Sequence, residues 1–186
     1  MDSGKTYKCI VLGTVGVGKT SIINSMKHIK EDVCSTTSSS FYLVQVEVDN
    51  QRVDLSVWDT PGQDSYQELN KIYYQDSMAG LLIFDLTDEE TLLKLQDYLH
   101  DFNEICPNAW AYLVGNKLDL DRQVSRDTAE HFATKNNLKY FEVSAVTNEN
   151  ISILFHQIAR DSFNEREANP APSSEDNHQK KEKCKT

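Results

Sequence analysis

The residues best suited to chemistry lie near the start of the chain, in a glycine-rich stretch that ends in lysine and threonine. Residues 13–20 read G-T-V-G-V-G-K-T and directly follow the apolar run 7–12. Glycines let a backbone curl until several N–H groups point into one hollow, and a following helix adds the positive end of its dipole. Lys19 can bring a full charge to phosphate groups, and the Thr20 hydroxyl can ligate Mg²⁺. The spacing therefore predicts a loop that binds nucleotide phosphates.

A second polar stretch, D-T-P-G-Q at residues 59–63, follows the second strand of a predicted hairpin. An aspartate there can hold Mg²⁺ through a water molecule, and the backbone N–H of Gly62 can bind a terminal phosphate. The same letters also make a good turn, but a neighbouring phosphate loop favours the functional interpretation. The residues expected on the phosphate side in these two stretches are Val15, Gly16, Val17, Gly18, Lys19, Thr20, Ser21, Asp59 and Gly62.

A third stretch, N-K-L-D at residues 116–119, follows the apolar run 110–114 and would select the base. The Asp119 carboxylate can accept two N–H bonds from guanine. Adenine lacks that donor pair and would leave the carboxylate unpaired, at a cost of about 1–3 kcal/mol. Asn116 and Lys117 can brace the base and the phosphate loop, although such residues also form ordinary polar turns. Guanine is the predicted base.

A fourth stretch follows the last predicted strand and is weak evidence when taken alone. Its backbone N–H groups can reach the oxygen of guanine, and its residues are Ser144, Ala145 and Val146.

The elements around these stretches predict an α/β fold with a six-stranded, mostly parallel sheet, one antiparallel edge strand and about five flanking helices. Alternating valines predict a hairpin over 44–57 with one solvent-exposed face. The unbroken apolar run 79–86 predicts a strand that is covered on both faces. We expect a helix after that run, capped by Thr87, with Glu90 completing a capping box. Another helix is expected to begin near Ser125.

The order and spacing of the four stretches resemble the Ras superfamily of small GTPases over roughly residues 5–165, with the Rab branch most similar. The resemblance implies a P-loop G domain over residues 1–165 that binds GTP or GDP with Mg²⁺ and hydrolyses GTP. It implies catalytic roles for Gln63, which orients the attacking water, and for Lys19 and Thr36. Thr36 is chosen over Thr37 because Phe41 follows five residues later. The implied metal ligands are Thr20, Thr36 and Asp59.

The chain departs from this family at Val15, where hydrolytically competent relatives mostly have a small residue. A branched side chain there is expected to crowd Gln63 and a partner's arginine finger, which predicts slow hydrolysis. The alternatives are a small backbone shift that makes Val15 harmless, and a GTP-bound interaction module that does not hydrolyse at all. Pro61 is a further departure, and no aromatic residue occurs at 28–30 to stack on the base. A P-loop kinase or ATPase is disfavoured by the N-K-L-D stretch.

The expected partners are effector, exchange-factor and GTPase-activating proteins, which the resemblance implies at residues 28–48 and 59–75. The net charge of −10 argues against nucleic acid as a partner, and four scattered cysteines favour a reduced, intracellular protein. Residues 166–186 are predicted to be a disordered tail. Cys184 lies among lysines there, so lipid-mediated membrane association and an unmodified thiol both stay open. We expect a cytoplasmic monomer that acts in vesicle trafficking, with a peripheral place on the cytosolic face of an endomembrane as the alternative.

Overall fold

The computed structural model describes residues 5–27, 33–34, 40–60 and 67–168. Within these ranges the centre of the fold is one sheet, and helices lie on both of its faces. Its strands are β1 Lys5–Leu12, β2 Val33–Cys34, β3 Ser40–Val48, β4 Gln51–Asp59, β5 Ala79–Asp85, β6 Trp110–Asn116 and β7 Lys139–Glu142. The helices are α1 Lys19–Lys27, α2 Gln67–Tyr74, α3 Glu89–Leu93, α4 Leu95–Ile105, α5 Arg126–Lys135 and α6 Ile151–Ala168.

The sheet has the order β2-β3-β4-β1-β5-β6-β7, and five of its six longer strands run parallel. β3 pairs antiparallel with β4 and lies towards the outer edge, as predicted. The two-residue strand β2 adds a short antiparallel pairing beyond it, at Val33↔Tyr42 and Cys34↔Phe41. The predicted α/β class and six-stranded sheet are confirmed, since the sequence patterns identified every strand longer than two residues in the described ranges.

The two faces of the sheet bury separate apolar cores. One core joins α1 and α6 to the alternate residues of the central strands, including Val11, Leu81 and Val114. The other joins α4 and α5 to the opposite face, including Leu12 and Leu82. All seven residues of β5 are buried, as expected for a strand covered on both faces.

The helix after β5 begins one residue later than predicted. Asp88 is the N-cap of α3, and its side chain accepts a hydrogen bond from the backbone N–H of Glu90. Thr87, the predicted cap, instead donates its N–H and hydroxyl to Asp85. That buried carboxylate competes for the hydroxyl that would otherwise cap the helix. Ser125 caps α5 as predicted, by accepting from the N–H of Thr128.

The last helix extends to Ala168, beyond the predicted domain boundary at residue 165. Within the ranges given above, none of the helices combines the length and apolar character that crossing a bilayer requires. Residues 169–186, including Cys184, lie outside the described part of the chain.

Candidate functional site

The four polar stretches meet because the strands before them are parallel. β1 pairs in parallel with both β4 and β5, and β6 pairs in parallel with β5 and β7. Their carboxyl ends therefore form one edge of the sheet, where open α/β sheets bind ligands. The predicted phosphate loop, the Asp59 segment, the N-K-L-D stretch and the Ser144 stretch all begin at this edge.

Lys19 is the first residue of α1, and its side chain folds back over the glycine-rich loop. Its ammonium donates to the backbone oxygens of Gly13 and Thr14, at 2.8 and 2.9 Å. The side chain is nearly buried, and burial lowers the pKa of Lys19, which the nearby Asp59 carboxylate counteracts in part. A buried cation at a helix N-terminus favours an anion beside it.

Thr20 and Asp59 come from different elements and contact each other directly. The Thr20 hydroxyl donates to Asp59 Oδ2 at 2.5 Å. The next residue, Thr60, is buried and donates its hydroxyl to the backbone oxygen of Val11 at 2.6 Å, which ties the end of β4 to β1. These contacts hold two oxygen ligands side by side at the mouth of the loop.

The oxygens of Thr20 and Asp59 suit a Mg²⁺ site that phosphate and water complete better than they suit a metal site built from protein ligands alone. Among the described residues, no group of three or more histidine, cysteine, aspartate or glutamate side chains could hold a metal ion. Mg²⁺ is commonly bound through one or two carboxylates, with phosphate oxygens and waters completing the octahedron. A hydroxyl and one carboxylate beside a phosphate loop match that requirement.

Asn116 joins the phosphate loop to the base side of the site. Its amide NH₂ donates to the backbone oxygen of Val17 at 2.8 Å, and its Oδ1 accepts from the N–H of Ala145 at 3.2 Å. Gly18 leaves the room for this bridge, because a Cβ there would lie 2.3 Å from the Asn116 amide nitrogen. Gly18 also has a positive φ of 94°, which a side chain disfavours.

The base side is built from side chains that bond to one another. The buried Ser144 hydroxyl donates to Asp119 Oδ1 at 2.5 Å and accepts from the N–H groups of Val146 and Thr147, at 3.2 and 3.1 Å. The N–H of Leu118 also bonds to the backbone oxygen of Val143. The N–H groups of Ala145 and Val146, predicted as donors to guanine, thus have long bonds within the protein, for which a base oxygen would compete.

Lys117 lies between Asn116 and Asp119 in this loop and has a φ of 68°, which is uncommon for a residue with a side chain. Its ammonium pairs with Asp85 Oδ2 at the end of β5. The other oxygen, Oδ1, accepts the two Thr87 bonds, at 2.8 Å from the N–H and 2.7 Å from the hydroxyl. Burial alone would raise the pKa of Asp85, but these bonds outweigh it and lower the pKa below the ordinary value.

The remaining predicted residues divide into exposed, buried and undescribed positions. Val15 is 64% exposed at the mouth of the loop, and Ser21 and Val146 are also exposed. Val17 is fully buried and contributes its backbone oxygen. Gly16, with a φ of 85°, has open space where a Cβ would lie. The predicted residues outside the described ranges are Thr36, Thr37, Pro61, Gly62 and Gln63.

Sequence reasoning missed Asp85, although one signal was available. It is the single charged residue in the apolar run 79–86. A charge in a strand covered on both faces requires a partner, so it marks a polar site.

An aromatic row beside the site was also missed. Phe41 stacks on Trp58 with ring centroids 5.5 Å apart, and Trp58 packs against Tyr73 at 6.0 Å. The Lys8 ammonium lies 4.8 Å from the centre of the Trp58 ring. These residues come from β3, β4, α2 and β1, and they are so far apart in the sequence that the row cannot be recognised from it.

Comparison with known proteins agrees with this geometry. The family model described as Ras family matches residues 8–164. The Ras-related protein Rab-13 of Rattus norvegicus is 33% identical over 163 residues, covering 83% of this chain and 79% of the relative. Rab-21 of Bos taurus is 35% identical over 174 residues, covering 85% and 74%. Rab-4A of Danio rerio is 35% identical over 167 residues, covering 87% and 78%. The family match includes every described residue of the candidate site.

Proposed function

The chain belongs to the Ras family of small GTPases, and from this premise we propose that it is a Rab-like switch that binds GTP or GDP with Mg²⁺ and hydrolyses GTP slowly. The observation that carries the proposal is the meeting of a phosphate loop and a base-reading loop at one edge of the sheet, joined by the Asn116 bridge. We assign this activity to residues 1–165, with 166–186 as a tail.

The phosphate side supports triphosphate binding through its charges. Lys19 is held over the loop by two backbone oxygens, so its ammonium needs little reorganisation to contact the outer phosphates. Thr20 and Asp59 would hold Mg²⁺ from one side, directly or through water. When bound, Mg²⁺ neutralises charge that develops on the phosphates during transfer.

The base side supports a preference for guanine. The Ser144 hydroxyl holds one oxygen of Asp119, so that the carboxylate is oriented before a base arrives. A carboxylate can accept the paired N–H donors of guanine, and adenine would leave it unpaired. This arrangement disfavours an ATPase or a P-loop kinase.

The exposure of Val15 supports slow hydrolysis. Its branched side chain is exposed, so it is free to crowd Gln63 and a partner's arginine finger, the groups that the resemblance implies act on the γ-phosphate. An arginine finger contributes up to about 10⁵-fold in this class of enzyme, so even partial exclusion has a large effect. We therefore propose that the protein stays in its GTP form longer than relatives with a small residue here.

The aromatic row supports a partner surface within residues 28–48 and 59–75. Phe41 and Tyr73 belong to these ranges and pack on either side of Trp58, and all three side chains are partly exposed. Aromatic residues are enriched in protein interfaces because they bury a large area at small entropic cost. We propose that effectors bind this row and act in vesicle trafficking, with Cys184 and its neighbouring lysines as a peripheral membrane attachment on an endomembrane.

The test begins with the nucleotide content of the purified protein, followed by single-turnover cleavage of GTP. We expect bound guanine nucleotide and slow cleavage that a GTPase-activating protein barely accelerates. Val15→Gly should restore acceleration, and Val15→Ala, which removes both branch methyls but retains Cβ, should give most of that gain.

Each other outcome has a distinct meaning. Cleavage unchanged by Val15→Gly would remove the role proposed for Val15, and complete absence of cleavage in both proteins would favour the non-hydrolysing module. Equal competition by ATP and GTP would contradict the proposed function itself.

A further inference from the structure

Asp85 occupies a position where a charge is costly. It ends β5, the fully buried strand between β1 and β6, and its side chain is 9% exposed. Burying a carboxylate is unfavourable unless it is paired and hydrogen-bonded. Its contacts should therefore explain why a charge is present there.

One oxygen of the carboxylate joins β5 to the base side of the site, and the other is anchored locally. Oδ2 pairs with the Lys117 ammonium, and Oδ1 accepts from the N–H and the hydroxyl of Thr87. The two Thr87 bonds fix the carboxylate plane, so Oδ2 points at Lys117 from an anchored group. The backbone reinforces this link, since the N–H of Leu86 bonds to the backbone oxygen of Asn116 at 3.0 Å.

Lys117 gains most from such an anchor. Its long side chain would otherwise sample many rotamers, and ordering a free lysine costs up to about 2 kcal/mol. Its backbone has a positive φ between Asn116 and Asp119, so the direction of its side chain and the path of the loop are linked. An ion pair formed before the nucleotide arrives removes that ordering cost from binding.

We propose that Asp85 is a positioning residue, which holds Lys117 so that the loop 116–119 is set for the base and the nucleotide is released slowly. The inference rests on the proposed function, because it assigns Asp85 a part in guanine nucleotide binding. Asp85 acts through Lys117 and contacts neither base nor phosphate.

The chain offers a matched control at the opposite end of the same sheet. Asp161 on α6 accepts from Lys139 Nζ at 2.6 Å and from the Tyr112 hydroxyl at 2.7 Å. Its side chain is 10% exposed, as buried as that of Asp85, and it also pairs one lysine and one hydroxyl. Lys139 begins β7, and Tyr112 pairs with it in register, so this cluster lies at the amino end of the strands.

The experiment measures release of fluorescent GDP in excess Mg²⁺ by stopped flow, with thermal unfolding of each variant recorded in parallel. Asp85→Asn should release GDP about tenfold faster, the effect expected from losing one charge-assisted hydrogen bond. Asp161→Asn should lower the thermal midpoint comparably, with release within about twofold of the unsubstituted protein.

A double-substitution cycle separates positioning from a general structural role. Lys117→Ala should itself speed release, and adding Asp85→Asn should cause no further acceleration. If Asp85→Asn does not fold, Thr87→Val tests the same link, because it removes one anchoring bond and should speed release only while Lys117 is present.

Three results would overturn the inference. They are wild-type release rates in Asp85→Asn, acceleration that adds fully to that of Lys117→Ala, and equal acceleration by Asp161→Asn. In each case the unsubstituted protein still binds guanine nucleotide. Failure of that protein to bind GDP would instead contradict the proposed function, and the inference with it.

Discussion

The phosphate side and the base side of the candidate site are built differently. On the phosphate side, glycine-rich backbone forms the hollow, and Lys19 and Thr20 each extend from the first turn of one helix. On the base side, loops after β6 and β7 are held by bonds between side chains, such as Ser144 to Asp119 and Lys117 to Asp85. The phosphate side depends on the shape of a single loop, whereas the base side depends on contacts between side chains from several elements.

This difference indicates how the two sides divide the work. A hollow of N–H groups beside a lysine recognises phosphate whatever the base, so it should set the affinity. Oriented side chains distinguish donors from acceptors, so they should set the choice of nucleotide. Asn116 connects the two through Val17 and Ala145. Substitutions should therefore change affinity on one side, selectivity on the other, and both at the junction.

Lys19→Ala should have the largest effect. It removes the charge facing the phosphates, and hydrogen bonds to charged groups contribute enough that affinity for GDP and GTP should fall about a hundredfold. Titration with fluorescent nucleotides measures the loss, and Lys135→Ala, an exposed lysine on α5, is the control. Equal losses for GDP and ATP analogues are expected. A loss confined to guanine nucleotides would contradict the assignment of Lys19 to the phosphate side.

Asp119→Asn should change selectivity. The amide can donate where the carboxylate accepted, so GTP binding should weaken about tenfold or more while XTP binding improves. Competition between GTP and XTP for the protein gives the ratio. The nearby exposed Asp121 provides the control, since Asp121→Asn should leave the ratio unchanged. Retained preference for GTP in Asp119→Asn would count against the base-reading role.

Gly18→Ala should affect both sides, and Gly16→Ala serves as its comparison. Both glycines have positive φ, so both substitutions add backbone strain of about 1–2 kcal/mol. Cβ at Gly16 meets open space, whereas Cβ at Gly18 would lie 2.3 Å from the Asn116 amide. Gly18→Ala should therefore weaken GTP binding more and also reduce the preference for GTP over ATP. Equal behaviour of the two variants would mean that the Asn116 bridge is not needed.

The same contrast explains what the sequence could predict. The phosphate loop is one contiguous stretch, so its spacing and its place between β1 and α1 could be recognised from the sequence. Alternating valines identified the hairpin strands β3 and β4, and burial on both faces left an unbroken apolar pattern that identified β5. Parallel pairing then places the ends of these strands together.

Contacts that cross elements could not be predicted in the same way. The lone charge of Asp85 marks a polar site, but it does not show that the Thr87 hydroxyl bonds to it instead of capping a helix, since that choice also depends on Lys117 in another loop. The stack of Phe41 on Trp58 likewise depends on β3–β4 register, which pairs these two residues directly. Contacts between side chains of different elements can be identified only from the three-dimensional arrangement.

Asp161→Asn should have the smallest effect on the site and a clear dependence on pH. Burial would raise the pKa of Asp161, but bonds from Lys139, Tyr112 and Gln157 outweigh it and lower the pKa below its ordinary 3.8. A depressed pKa stabilises the fold above the unfolded value, and the contribution is lost as pH falls through the folded value. In urea unfolding, the substitution should cost about 1–3 kcal/mol at neutral pH. The cost should shrink once the pH falls below about 4, since the Asp161 carboxyl then begins to protonate in the unfolded chain while the fold still keeps it ionised. A cost that stays constant across this range would mean that Asp161 contributes through packing and not through its charge.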